Sequence, residues 1–201
     1  MTSLACVDWA VSGRPHPGEE QSGDLAACML VGDGALLAAI DGLGHGAEAA
    51  KAAEIARDII AANSSESLAS LLRLCHVGLA RTRGAVITLA RIQCGAGMLQ
   101  WVGVGNVEAY LVRRTERGHG SLAASAVLFG GTVGYRLPRI RDSVVELRLN
   151  DLVIMATDGV SQHFVPEVAT GQPVDRIART ILDEHARATD DALVAVARVR
   201  E

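Results

Sequence analysis

The chain has 201 residues, of which 49% are hydrophobic and 21% charged, so it can build a hydrophobic core and is not a disordered segment. Nineteen basic against 23 acidic residues give a formal net charge of −4, and aromatic residues make up 3%. This composition argues against nucleic acid and anionic membranes as partners. The length favours a single domain spanning residues 1–201.

Neither a membrane span nor a secretory signal is expected. No run of 18 apolar residues occurs, and the N-terminus lacks a basic region followed by an apolar one. The four cysteines contain no CxxC pair, which disfavours zinc and redox motifs. They are Cys6, Cys28, Cys75 and Cys94. We expect small core residues at these positions and a reducing, cytoplasmic compartment.

The first half of the chain predicts a hairpin and two helices. Apolar runs at 25–31 and 35–40 flank the turn sequence VGDG, which is typical of a β-hairpin. The segment 47–62 is rich in Ala, Glu, Lys and Arg and predicts a helix. Apolar residues at helical spacing predict a second helix over 66–82.

The second half changes to a strand pattern. Short β-rich segments separated by Gly, Asn or Asp occupy 85–94, 97–105, 107–114, 121–129, 143–149 and 151–160. An amphipathic helix at 174–187 and a last strand at 192–200 follow. Sheets this apolar need covering on both faces. The pattern therefore predicts an α+β fold, a β-sandwich flanked by helices.

Five aspartates lie at or next to the ends of predicted strands. They are Asp24, Asp41, Asp158, Asp190 and Asp191. If the strand ends meet, the like charges are costly unless a cation neutralises them, and oxygen ligands without sulfur favour Mg²⁺ or Mn²⁺. Gly42 and Gly159 leave the backbone accessible to an ion. The alternative is that each Asp-Gly pair only forms a turn.

The loop Asp41-Gly42-Leu43-Gly44-His45-Gly46 leads directly into the first predicted helix. Its glycines permit close approach of a ligand, but its spacing is not that of a nucleotide-binding loop. His45 is the candidate proton donor, because histidine titrates near neutrality. It could equally fill the loop or bond a carbonyl. Arg14 either pairs with a substrate phosphate or is simply solvated.

Several motifs occur together in a fixed order from about residue 12 to the C-terminus. They are SGD at 22–24, DGLGHG at 41–46, WVGVGNVEAYLV at 101–112, GGTVG at 130–134, TDGV at 157–160 and DDALVAV at 190–196. In this order they resemble the metal-dependent protein phosphatases (PPM, type 2C), and within that family the SpoIIE-like bacterial branch. The resemblance implies an αββα sandwich of two mainly antiparallel sheets flanked by helices.

The resemblance also implies a serine/threonine protein phosphatase that uses two divalent cations, Mn²⁺ or Mg²⁺. Asp41 matches the acid that bridges both metals, and the Gly42 carbonyl matches a ligand of the second. Asp158 and Asp190 match ligands of the first metal. Asp24 matches the acid that helps to hold the water shell of the second. Together with His45, Asp41 and Asp158 are the candidate catalytic residues.

Two positions and one segment modify what the resemblance implies. Asp191 matches a family position that carries Asp or Asn, so a supporting role is expected. Asn106 stands where many relatives carry the Asp of a third metal site. Whether a third metal binds is therefore left undecided. The short segment between Gly130 and Asn150 predicts that no flap subdomain is present.

The stand-alone form resembles phosphatases of the bacterial stressosome pathway. It implies a phosphorylated STAS-domain regulator or stressosome scaffold as partner. Two alternatives are a catalytically weak or inactive module of the same fold that docks a signalling partner, and a hydrolase of small phosphoesters. The intact aspartates favour the protein phosphatase.

Overall fold

The computed structural model describes residues 2–4 and 6–200, and within this part the chain forms twelve strands, three α-helices and one 3₁₀ helix. The strands are β1 Thr2–Leu4, β2 Val7–Arg14, β3 Asp24–Val31, β4 Gly34–Gly42, β5 Ala85–Gln93, β6 Met98–Val104, β7 Glu108–Arg114, β8 Gly120–Ser125, β9 Leu128–Phe129, β10 Ser143–Glu146, β11 Leu152–Ala156 and β12 Ala192–Val199. The helices are α1 Ala47–Ala62, α2 Leu68–Gly78 and α3 Val174–His185, and the 3₁₀ helix is Gln162–Glu167.

The strands form two sheets that pack face to face. The first sheet has the order β1-β2-β12-β11-β7-β8, and the second has the order β10-β6-β5-β4-β3. All of these neighbours are antiparallel, and the short β9 lies parallel to β6. The predicted pair of mainly antiparallel sheets is therefore confirmed.

Strand β4 shows how the sequence produces a layered fold. Successive side chains of a strand point to opposite faces. Accordingly, Ala35, Leu37 and Ala39 enter the core between the two sheets, whereas Leu36, Ala38 and Ile40 pack with residues of α1 and α2. On the first sheet, α3 and the 3₁₀ helix cover the outer face in the same way. The result is four layers, αββα, in which β4 is buried on both faces and is apolar from Ala35 to Ile40.

Some boundaries differ from the sequence expectation. The helix expected over 66–82 is shorter, Leu68–Gly78. The single strand expected over 121–129 is two strands, because β8 pairs in the first sheet with β7 and β9 pairs in the second with β6. Strand β2 was not predicted. It is half exposed toward its C-terminal end and forms because β12 supplies a complete antiparallel partner.

The cysteines also differ in part from the expectation. Cys75 is a buried core residue and Cys28 is half-buried, as small apolar residues would be. Cys6 and Cys94, however, form a disulfide with their Cα atoms 6.4 Å apart. They lie 88 positions apart in the sequence, and only the packing of the two sheets brings the start of β2 near the end of β5. No helix within residues 2–4 and 6–200 is long and apolar enough to span a membrane.

Candidate metal centre

The register of β3 and β4 places two of the predicted aspartates side by side. Asp24, the first residue of β3, is the direct antiparallel partner of Asp41, the penultimate residue of β4. Asp24 is only 8% exposed, and Asp41 is partly buried. Two carboxyl groups thus meet at one end of the second sheet.

The other three aspartates lie at the adjoining end of the first sheet. Strands β11 and β12 are antiparallel, so Asp158, just after β11, lies beside Asp190 and Asp191, just before β12. All five aspartates line one cavity of about 410 Å³ between the sheet ends. The structure therefore brings together every side chain assigned to the site from the sequence, since His45 lines the same cavity.

Burial and mutual repulsion act strongly on this cluster. Burial, followed by the charges of the neighbouring aspartates, raises the pKa of Asp41 to about 8. Burial is also the main cause that raises the pKa of Asp24 to about 7. The pKa of Asp158 is raised by burial and by Asp190, against the opposing effects of Asn106 and Arg187. Carboxyl groups in this state need protons or cations to be stable together.

Two neutral donors hold individual aspartates in place. The Thr157 hydroxyl donates to Asp24 Oδ2 at 2.7 Å and accepts from the Leu193 amide at 2.9 Å, so it joins the two sheets. The Asn106 amide donates to Asp158 Oδ2 at 2.7 Å. The role of Thr157 was missed from the sequence, although it directly precedes the Asp-Gly pair. Its complete burial is visible only in the fold.

Asp191 differs from its neighbour Asp190. Its Oδ1 accepts a hydrogen bond from the His16 amide at 2.5 Å, and its Oδ2 accepts one from the Gly23 amide at 3.1 Å. It therefore ties the segment before β3 to the end of the first sheet. This arrangement agrees with the supporting role expected for Asp191, and its part in metal binding stays a prediction.

The two Asp-Gly turns are fixed by backbone packing. A Cβ atom on Gly42 would lie 2.1 Å from the Ala49 carbonyl oxygen, at the start of α1. A Cβ atom on Gly159 would lie 1.7 Å from the Asp191 carbonyl oxygen. Real Cβ atoms do not come so close to backbone, so only glycine allows these turns.

His45 has partners that the sequence did not reveal. Its Nδ1 lies 2.7 Å from Glu19 Oε1, and its ring stacks on that of His16 with the centroids 4.4 Å apart. His16 also lines the cavity. Arg14, by contrast, donates to the Arg187 carbonyl at 2.6 Å, and it is not among the residues that line the cavity.

The donor set fits hard divalent cations. The five aspartates offer carboxylate oxygens to the cavity, which is wide enough for cations together with water. Gly42 is not among the residues that line the cavity, so its carbonyl stays a predicted ligand. Cations would also offset the repulsion that raises the carboxyl pKa values.

Comparison with known proteins identifies the class. Residues 32–200 match the family described as Stage II sporulation protein E (SpoIIE). The chain belongs to this family, and its fold is that of the PP2C-type phosphatases. None of the curated proteins compared with the chain matches it.

Three solved structures illustrate the similarity. One, described as "The bacterial stressosome: a modular system that has been adapted to control secondary messenger signaling", is 29% identical with a TM-score of 0.87, and the match covers 96% of this chain and 99% of that one. RsbX in complex with magnesium is 17% identical with a TM-score of 0.82 and 98% of each chain covered. The phosphatase PstP with two manganese ions is 19% identical with a TM-score of 0.72, covering 97% and 99%.

Proposed function

We propose that the chain is a metal-dependent serine/threonine protein phosphatase of a bacterial stress-response signalling pathway. The observation that carries this proposal is the convergence of five aspartates on one cavity, with the pKa of Asp24 and Asp41 raised to about 7 and about 8. An unfavourable charge arrangement of this kind marks a functional site rather than a stabilising one.

Two divalent cations, Mn²⁺ or Mg²⁺, are the proposed cofactors. Asp24, Asp41, Asp158, Asp190 and the Gly42 carbonyl would hold them. When bound, such cations lower the pKa of a water molecule and neutralise phosphate oxygens. RsbX with magnesium and PstP with two manganese ions share the fold and support this choice.

His45 is proposed to donate a proton to the leaving serine or threonine oxygen. It lines the cavity, and its Nδ1 faces Glu19 at 2.7 Å. A carboxylate on one ring nitrogen fixes the orientation of the ring and leaves the other nitrogen free to exchange a proton. Glu19 is therefore a positioning residue for His45.

The proposed substrate is a phosphoserine or phosphothreonine of a cytoplasmic signalling protein, namely a STAS-domain regulator or a stressosome scaffold. The similarity of the chain to RsbX, and to the solved structure whose description names the bacterial stressosome, supports this class of substrate protein. The chain is also similar to the RsbU and RsbW domains of Rv1364c from Mycobacterium tuberculosis, at 18% identity with a TM-score of 0.81.

The test is phosphate release from p-nitrophenyl phosphate and from a phosphoserine protein, with Mn²⁺, with Mg²⁺ and with EDTA. We expect turnover that requires a cation and that Asp41→Asn lowers by about 1,000-fold or more. The matched control is Asp183→Asn, an exposed aspartate on α3, which should leave turnover within about twofold. Cation-independent turnover, or none on either substrate, would contradict the proposal.

A further inference from the structure

Two loops lie next to the aspartate cavity, one after α2 and one between β9 and β10. The Leu43 amide of the DGLGHG loop donates to the Gly84 carbonyl at 3.1 Å. Ala85 and Val133 exchange two backbone hydrogen bonds, at 3.0 and 2.8 Å, which joins the two loops. Thr132 itself lines the cavity. Both loops therefore form one edge of the cavity mouth.

These loops concentrate positive charge on a chain whose net charge is −4. They carry five exposed arginines, here called the arginine rim: Arg81, Arg83, Arg136, Arg139 and Arg141. None of the five takes part in the ion pairs found within the described part of the chain. The mechanism proposed above does not use them. Arginines without an ion-pair partner, on loops beside a site for a phosphorylated substrate, are suited to binding further negative charge on that substrate.

Arg83 lies against a residue that lines the cavity, Gly44. Its Nη1 atom lies 2.7 Å from the point where a Cβ atom on Gly44 would stand, so the guanidinium packs against the DGLGHG loop. Gly44 has φ +89°, and its lack of a side chain makes room for this contact. The rim thus begins at the edge of the site itself.

Two exposed hydrophobic side chains lie on segments next to the arginine rim. Tyr135 is 86% exposed, and Val77 is 76% exposed at the end of α2. The two belong to neighbouring segments, since the Gly134 amide donates to His76 Nδ1 at 3.0 Å. Tyrosine and arginine are among the residues enriched at protein–protein contacts, so these side chains suit a protein client.

We propose that the arginine rim, together with Tyr135, binds an acidic segment that flanks the phosphorylated residue of a protein client. This inference rests on the proposed phosphatase function and specifies its substrate class. Charge complementarity carries it: Arg83 at the cavity edge meets residues close to the phosphate, and Arg136, beside Tyr135, meets residues further along the segment.

The experiment compares two phosphoserine peptides of equal length, one with Glu and Asp around the phosphoserine and one with Lys there. We expect kcat/KM with Mn²⁺ to be about tenfold higher for the acidic peptide and this ratio to fall with added salt. The variant Arg83→Gln/Arg136→Gln should lower kcat/KM for the acidic peptide about fivefold, and for p-nitrophenyl phosphate by a smaller factor. The matched control is Arg179→Gln, an exposed arginine on α3, which should preserve the preference.

A binding measurement keeps this test separate from catalysis. Fluorescence anisotropy of labelled peptides, in the presence of Mn²⁺, should show tighter binding of the acidic peptide and loss of that preference in the double variant. Equal kcat/KM and equal binding for both peptides in the wild-type protein would overturn the rim proposal and leave the phosphatase standing. Selective binding without turnover on any substrate would support the rim and contradict the proposed function.

Discussion

This molecule has two groups of potential metal-ligand side chains, and the fold gives them different surroundings. The first is the cavity aspartates: Asp24, Asp41, Asp158, Asp190 and Asp191. The second is the helix-end cluster of Glu167, Glu184 and His185, whose ligand-type atoms lie within 4.8 Å of one another. Within the described part of the chain, the helix-end cluster is the tightest such group, yet it is the weaker candidate for a cation site.

The difference lies in exposure and charge balance. The Glu167 side chain is 62% exposed, so water solvates its charge, and its Oε2 lies 3.1 Å from His185 Nε2. Thr157 is a neutral donor to Asp24, and Asp158 has the neutral donor Asn106 and the nearby charge of Arg187. Burial raises the pKa of Asp24 and Asp41, and no positive charge among the described residues offsets it there. Proximity of ligand atoms alone is therefore a poor guide to a metal site, and uncompensated buried charge is a better one.

The largest expected effect is on the pH dependence of stability without metal. Asp24 and Asp41 titrate near 3.8 when unfolded, and burial raises their pKa to about 7 and about 8 in the folded protein. Between pH 3.8 and about pH 8 the folded state therefore binds more protons than the unfolded state, and the stability of the fold falls as pH rises. With EDTA, we expect the melting temperature to drop by about 10 °C between about pH 5 and pH 8.5.

Saturating Mn²⁺ should remove most of this fall. The variant Asp41→Asn, which carries no charge at that position, should flatten the profile and melt higher than the wild type at alkaline pH without metal. A metal-free melting temperature that rises through the same window would show that the cavity aspartates are already compensated, and the contrast with the helix-end cluster would be lost.

A smaller effect is expected at Thr157, which links the two sheets. Thr157→Val keeps the shape but removes the hydroxyl that donates to Asp24 and accepts from the Leu193 amide. We expect a loss of about 2 kcal/mol in the free energy of unfolding, measured in urea with Mn²⁺ present. Thr157→Ser is the matched control and should cost less than about 1 kcal/mol. Equal losses in both variants would assign the effect to packing instead of the hydrogen bonds.

The smallest effect is expected at the helix-end cluster. Glu167→Gln/Glu184→Gln removes two exposed charges, and exposed ion pairs contribute about 0–1 kcal/mol. We expect the melting temperature to change by less than about 3 °C, and the stabilisation by Mn²⁺ to stay as in the wild type. Differential scanning calorimetry with and without Mn²⁺ checks both. If the double variant loses the Mn²⁺ response, the helix-end cluster is a metal site, and exposure does not distinguish it from the cavity aspartates.

Much of the fold was predictable because local patterns are consistent with it. The Ala-rich segment gives α1 with the bounds expected, Ala47–Ala62, and the VGDG turn joins β3 and β4 as expected. The division of 121–129 between two sheets was not predictable, because each half has the same local strand pattern. Pairing of Cys6 with Cys94 likewise depends on how the two sheets pack. The single-domain organisation without a flap stays a prediction.

The aspartates of the site could be found from the sequence because each adjoins a strand. Their partners could not, since Thr157, Glu19 and His16 are ordinary residues until the fold brings them near Asp24 and His45. The assignment of metal ligands to Asp24, Asp41, Asp158 and Asp190 likewise stays a prediction. The strand register is one piece of information that only the fold supplies. Asp24 and Asp41 are 17 positions apart in the chain but are direct partners across β3 and β4.

The contacts at Gly42 and Gly159 determine how closely the acidic loops of the cavity can pack. Each turn lies directly on a backbone carbonyl, of Ala49 in one case and of Asp191 in the other, with no space for even one methyl group. An alanine at either position would leave every charge and every ligand atom in the sequence unchanged and would still push one acidic loop away from the rest. The size of the cavity therefore depends on the absence of a side chain at Gly42 and Gly159 as well as on the five aspartates.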